Sequence, residues 1–92
     1  MLTEKAEGRI AMLIVDKLAL QEKLSEGEKT LAAYILVHGM EIAKYSTRSL
    51  AEVTYTSPPT VLRLCKKLGF SGFDDFKQNF MRELEYLDPV SY

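Results

Sequence analysis

Ser57-Pro58-Pro59-Thr60-Val61-Leu62-Arg63-Leu64-Cys65-Lys66-Lys67-Leu68-Gly69 reads as one self-contained helix with both ends marked. Ser57 is a strong N-cap, and Pro58 at the first helical position gives up only an N–H that has no partner there. Gly69 suits the left-handed stop beyond the last turn, and Lys66 and Lys67 lie where the helix dipole favours cations. At about 100° per residue, Val61, Leu64, Cys65 and Leu68 gather on one side. Pro59, Arg63 and Lys66 point the other way, with Thr60, Leu62 and Lys67 on the flanks. The helix has an apolar back for a core and a front of cationic and hydroxyl-bearing side chains.

Working upstream, Ser46 or Thr47 caps an element that stops near Thr54, with Leu50, Ala51 and Val53 expected to face inward. Only Tyr55 to Ser57 join it to the helix above. So tight a connection forces a steep crossing, which is the helix-turn-helix arrangement. Before it, Ser25 and Glu28 form a capping box that opens a helix with Leu31, Ala32, Ile35 and Leu36 on its core face. Gly39 ends that helix, and Met40 to Lys44 read as one further helical turn. A first helix is predicted from about Thr3 to about Glu22, with Ala6, Ile10, Leu13, Ile14 and Leu18 as its stripe. Met12, Val15 and Leu20 widen that stripe, so one face is expected inward and one against a second copy of the chain.

Downstream, Ser71 with Asp74 three residues on predicts the start of a last helix from about Phe73 to about Leu87. Phe76, Phe80, Leu84 and Leu87 form its stripe, and Phe70 and Phe73 close the core at its start. Asp88-Pro89 ends it. Val, Ile and Thr nowhere alternate in runs, so strands have no support. The expected fold class is all-α: a five- to six-helix bundle containing a helix-turn-helix motif.

Composition limits the alternatives. The 92 residues suit one domain, and 47% hydrophobic residues exclude a disordered chain. No apolar run approaches the roughly 18 residues that span a bilayer, and no secretory leader is visible. The single cysteine, Cys65, cannot form an internal disulfide and fits a reducing, cytoplasmic location. Net charge is −1, which alone argues against nucleic acid. Its distribution argues the other way: from Ser46 to Gly72, Arg48, Arg63, Lys66 and Lys67 stand against Glu52 alone, a local +3, which leaves −4 for the rest.

In a helix-turn-helix the second helix enters the major groove and its N-terminal half reaches base edges. Arg63 is the expected base contact, since its fork matches the two acceptors of guanine. Ser57 and Thr60 suit phosphate oxygens or a thymine methyl, and Pro59 offers apolar contact only. Lys66 and Lys67, with Arg48 and the hydroxyls of Ser46, Thr47 and Ser49, are expected on phosphates. Other chemistries find no footing. His38 stands without a second ligand and reads as a capping or surface residue. Cys65 lies on the apolar face as a structural thiol, and Asp74 and Asp75 point about 100° apart on a helix. No cofactor site, metal set or nucleophile–base pair is present, so the chain is not read as an enzyme.

The segment from Leu24 to Leu84 resembles the N-terminal domain of the RpiR family of bacterial transcriptional regulators. Four stretches carry the resemblance: LSEGEKTLAAYIL (24–36), STRSLAEV (46–53), TVLRLCKKLGF (60–70) and SGFDDFK (71–77). Thr60 to Lys77 is its most specific part. The resemblance implies a homeodomain-like domain over residues 1–88 that binds operator DNA, usually as a homodimer. It also implies a following sugar isomerase (SIS) domain that senses a phosphosugar, with 89–92 as the start of the linker to it. Two departures stand out. Family members carry Gly where Tyr55 stands and an aliphatic residue at Thr56; a Tyr at positive φ is strained, so another turn geometry is expected. Pro59 replaces a small residue on the reading face. The competing reading is a helical protein-interaction or dimerisation module that has lost DNA binding, favoured by the acidic total, Tyr55 and Pro59.

Overall fold

A computed structural model of the chain describes residues 12–87. Five α-helices follow one another: α1 (Ile14–Leu20), α2 (Glu26–His38), α3 (Thr47–Val53), α4 (Pro58–Lys67) and α5 (Phe73–Leu87). A 3₁₀ segment, Gly39–Lys44, joins α2 to α3. The described residues contain no strand, and the all-α expectation holds.

The first helix is shorter than its periodicity predicts. Leu13 is extended (φ −79°, ψ 163°), so no continuous helix runs from Thr3 to Glu22; the part before Met12 lies outside the described residues. The break is stabilised from a distance. The Glu83 carboxylate on α5 accepts the N–H groups of Ile14 (2.8 Å) and Val15 (3.0 Å), and that of Asp16 accepts the Leu13 N–H (3.3 Å). These are donors that a continuing helix would have satisfied itself. Ile14 and Leu18 are buried, while Met12 and Leu20 are exposed.

The core gathers Leu18, Leu31, Ile35, Ile42, Leu50, Leu64, Phe76 and Phe80, all fully buried. Phe76 is its centre: its ring stacks on Phe80 (5.2 Å) and Phe73 (6.2 Å) and meets Phe70 edge-on (5.7 Å). Such pairs add about 0.5–1.5 kcal/mol each beyond area burial, and Phe76→Ala would cost roughly 3–5 kcal/mol. Three local expectations are corrected. Val53 is 44% exposed, because α3 has only seven residues and turns Leu50 and Ala51, not Val53, to the core. Leu87 is exposed as well, beyond the reach of the core. At the start of α5, Asp75 reaches back to Ser71 (N 2.9 Å, Oγ 3.3 Å), whereas Asp74 faces solvent.

Two long-range ties place the helix-turn-helix on this frame. Lys77 on α5 donates to the carbonyls of Tyr45 (2.7 Å) and Ala43 (3.5 Å), with its ammonium over the Phe73 ring at 4.8 Å. Lys17 on α1 donates to the Leu68 carbonyl at the end of α4 (3.2 Å). At the other end of α4, a Cβ on Gly27 would lie 3.4 Å from Thr60 Cγ2, so the start of α2 packs close against the start of α4.

Candidate nucleic-acid interface

The connection from α3 to α4 is built from backbone bonds. Thr56 N–H bonds the Ala51 carbonyl (2.9 Å) and Tyr55 N–H bonds that of Glu52 (3.2 Å). This pair of bonds is a helix stop that requires a left-handed residue just past the cap. Tyr55 supplies it at φ 58°, so the turn keeps the left-handed geometry despite the missing glycine, contrary to the expectation of another geometry. Thr54 braces the turn, its hydroxyl donating to the Leu50 carbonyl (2.8 Å) and sharing a bond with the Thr56 hydroxyl (2.9 Å). The same stop closes α4, where Phe70 N–H bonds Cys65 and Gly69 N–H bonds Lys66, with Gly69 at φ 102°.

Ser57 caps α4, its Oγ accepting the Thr60 N–H (3.3 Å). Val61, Leu64, Cys65 and Leu68 are buried, and Pro59, Leu62, Arg63 and Lys66 are exposed along the opposite side. The two faces divide as periodicity requires. Thr60 belongs to the inner side: it is 9% exposed, and its hydroxyl bonds Ser57 Oγ (2.8 Å) and receives Arg63 Nη2 (3.2 Å). Lys66 and Arg48 are exposed and form no ion pair with any described residue. Ser46 caps α3 by exchanging bonds with Ser49, Thr47 is half-buried beside it, and Ser57 is half-buried too.

Arg63 and Lys67 do not stand free. Both turn to Glu28 at the start of α2. Arg63 Nε donates to Oε2 (3.4 Å), while Lys67 Nζ donates to Oε1 (2.7 Å) and to the Lys23 carbonyl (2.9 Å). Glu28 is 1% exposed, and its Oε1 also accepts the Ser25 N–H (2.9 Å) in the predicted capping box. Burial alone would raise its carboxyl pKa. The bonds and charge of Lys67, the Ser25 N–H and Arg63 outweigh that and hold it below the ordinary carboxylate value. Sequence reasoning saw Glu28 only as a cap. Its signal was its spacing: 28, 31, 32 and 35 share one helical face, and a carboxylate on an apolar stripe needs cationic partners.

Cys65 is buried, and desolvation, with the Asp75 charge, pushes its thiol up to about 12. His38 stacks on Tyr34 (3.9 Å) and bonds Glu41 (3.0 Å), a packing role at the end of α2. No group of His, Cys, Asp and Glu among the described residues could hold a metal ion, and no described helix could cross a membrane.

Two short helices meeting across a tight turn, the second with an apolar back and an exposed Arg/Lys front, define a helix-turn-helix domain of the DNA-binding kind. The chain belongs to the rpiR family of helix-turn-helix domains, whose family model matches residues 7–86. It is 33% identical over 66 residues to the helix-turn-helix-type transcriptional regulator YbbH of Bacillus subtilis, covering 72% of this chain and 23% of that protein. It is 30% identical over 63 residues to the regulator HexR of Pseudomonas aeruginosa, covering 68% of this chain and 22% of that one. A bifunctional protein glk of Paraburkholderia xenovorans matches along 99% of this chain at 29% identity, over 14% of its own length. Among solved structures, Vibrio vulnificus NanR complexed with ManNAc-6P superposes with a TM-score of 0.77 at 28% identity, over 83% of this chain and 29% of that one. The chain thus spans less than a quarter of the length of YbbH and HexR.

Proposed function

We propose that this domain reads operator DNA in a sequence-specific way through α4, as one half of a homodimer. The regulator it serves acts in the cytoplasm on genes of sugar or phosphosugar metabolism. The observation that carries this reading is the division of α4, with Val61, Leu64, Cys65 and Leu68 buried and Pro59, Arg63 and Lys66 exposed. Arg63 supplies the base contact through the guanidinium edge not engaged by Glu28 and Thr60. Pro59 lies against base or sugar. Lys66, Arg48 and the hydroxyls of Ser46 and Thr47 meet phosphates, and Ser57 and Thr60 set the start of the reading helix. Residues 1–88 act as the DNA-binding domain and 89–92 begin the link to a phosphosugar-sensing domain. The ManNAc-6P held by NanR supports the effector class.

A second reading, a protein-interaction module, is favoured by one feature. Val37 (79% exposed), Val53 and Tyr55 (95%) line an apolar groove between α2 and the end of α3. Selection from a random duplex pool at about 150 mM salt separates the two, with Arg63→Ala in parallel. Enrichment of a motif that the variant loses supports DNA reading. A folded chain that enriches nothing supports the interaction module.

A further inference from the structure

Glu28 carries more than its capping role requires. The capping box uses one oxygen, Oε1, for the Ser25 N–H; the other, Oε2, receives Arg63 Nε. Lys67 binds the same carboxylate at 2.7 Å. Both cations come from α4, 35 and 39 residues further along the chain. They are themselves roughly half open, at 58% and 42% side-chain exposure, whereas the carboxylate is at 1%. One buried negative charge therefore anchors two cations whose outer edges reach solvent. Arg63 is held at a second point by the Thr60 hydroxyl, which fixes the plane of its guanidinium.

We propose that Glu28 is a positioning residue for DNA reading: its buried carboxylate holds the Arg63 guanidinium and Lys67 ammonium in place and limits how much of their charge reaches a duplex. This rests on the DNA-reading assignment above. Two effects follow. A long Arg side chain already fixed before binding loses less rotamer freedom at the base edge, which favours the right sequence over others. Two cations sharing one anion present a local +1 in place of +2, which weakens attraction to any phosphate backbone. Glu28 raises discrimination and lowers indiscriminate affinity.

Those opposite signs distinguish positioning from a purely structural role. Glu28→Gln keeps an acceptor for Ser25, since Gln also serves in a capping box, but removes the charge. The chain is titrated with the duplex that the parent enriches from a random pool and with a shuffled duplex of equal composition. The expected result is tighter binding of the shuffled duplex, a salt slope steeper by about one, and a preference for the enriched duplex lower by about ten-fold. Glu28→Asp keeps the charge but is one methylene shorter, so it is expected to lose the preference without steepening the slope. A preference unchanged in both variants, or affinities for both duplexes falling together, overturns the inference. Should the variants fail to fold, the parent gives the answer: the Arg63 Nε–H must be ordered by ¹⁵N relaxation in the free protein, and equal mobility of Arg63 and Arg48 overturns it. If the parent enriches no sequence, the DNA reading itself fails and this inference with it.

Discussion

Glu83 and Ile14 are joined across the whole domain: the carboxylate of one caps the helix that begins at the other, at 2.8 Å and 69 residues apart in sequence. With Val15 as second donor, one α5 side chain closes the first turn of α1. A charged cap of this kind contributes about 1–2 kcal/mol. Glu83→Ala is expected to lower stability by that amount, seen as a fall in the melting temperature of about 4–8 °C per kcal/mol. Glu83→Gln, which keeps an acceptor, is expected to fall between. A melting temperature unchanged in the Ala variant would show that the cap contributes nothing.

Tyr55 holds a left-handed conformation that costs a side-chain-bearing residue about 1–2 kcal/mol, and its ring, at 95% exposure, recovers little by packing. Tyr55→Asn and Tyr55→Gly are therefore expected to raise the urea midpoint, with a gain in unfolding free energy of roughly 0.5–1 kcal/mol for Asn. Tyr55→Val, β-branched at the same φ, is expected to lower it. A drop in both the Asn and Gly variants would mean that the ring packs against something.

Lys66, free of the Glu28 pair, is the α4 lysine best placed to meet phosphate. Lys66→Ala is expected to weaken binding to all duplexes alike and reduce the salt slope by about one. Arg63→Ala is expected to cost roughly 1–3 kcal/mol on the enriched duplex only. Equal losses on enriched and shuffled duplexes for Arg63→Ala would remove it from the reading face.

What the sequence made legible was local. The Ser25–Glu28 box, the Ser57 cap and the buried back of α4 all follow from spacings of three or four residues, which one segment holds by itself. What escaped was set by partners far along the chain. Glu83 capping α1 so that it begins only after Leu13, and Glu28 drawing Arg63 and Lys67 away from a free front, each depend on contacts 35 to 69 residues apart. Periodicity places a residue on a face without naming what that face meets. Tyr55 failed for another reason: the two helix-stop bonds after α3 fix the backbone more strongly than a side chain's reluctance to be left-handed.

Cys65, buried behind α4 with its thiol pushed up to about 12, is expected to resist thiol reagents at neutral pH until the domain unfolds. Its raised pKa contributes stability that is full below the unfolded value of 9.0 and is lost as pH rises through the folded one. Alkaline denaturation is expected to begin at higher pH in Cys65→Ala than in the parent. Rapid labelling of the folded parent would contradict this burial.

Glu28 works in the acid direction. Its folded pKa lies below the ordinary 4.5, so its contribution is present above that value and lost as pH falls through the folded one. Urea midpoints followed from neutral pH downward are expected to fall more steeply in the parent than in Glu28→Gln. Parallel profiles would show that the Glu28 charge adds no net stability.

Lys77 ties α5 to the segment that leads into the helix-turn-helix. The helix is fifteen residues long, about 22 Å, and one ammonium near its start grips the backbone at Ala43 and Tyr45, just ahead of the Ser46 cap. That grip joins α5 directly to the residue that precedes the helix-turn-helix. Because Phe76 and Phe80 of the same helix fill the core, α5 and the start of the helix-turn-helix are fastened together both through that core and through the Lys77 grip.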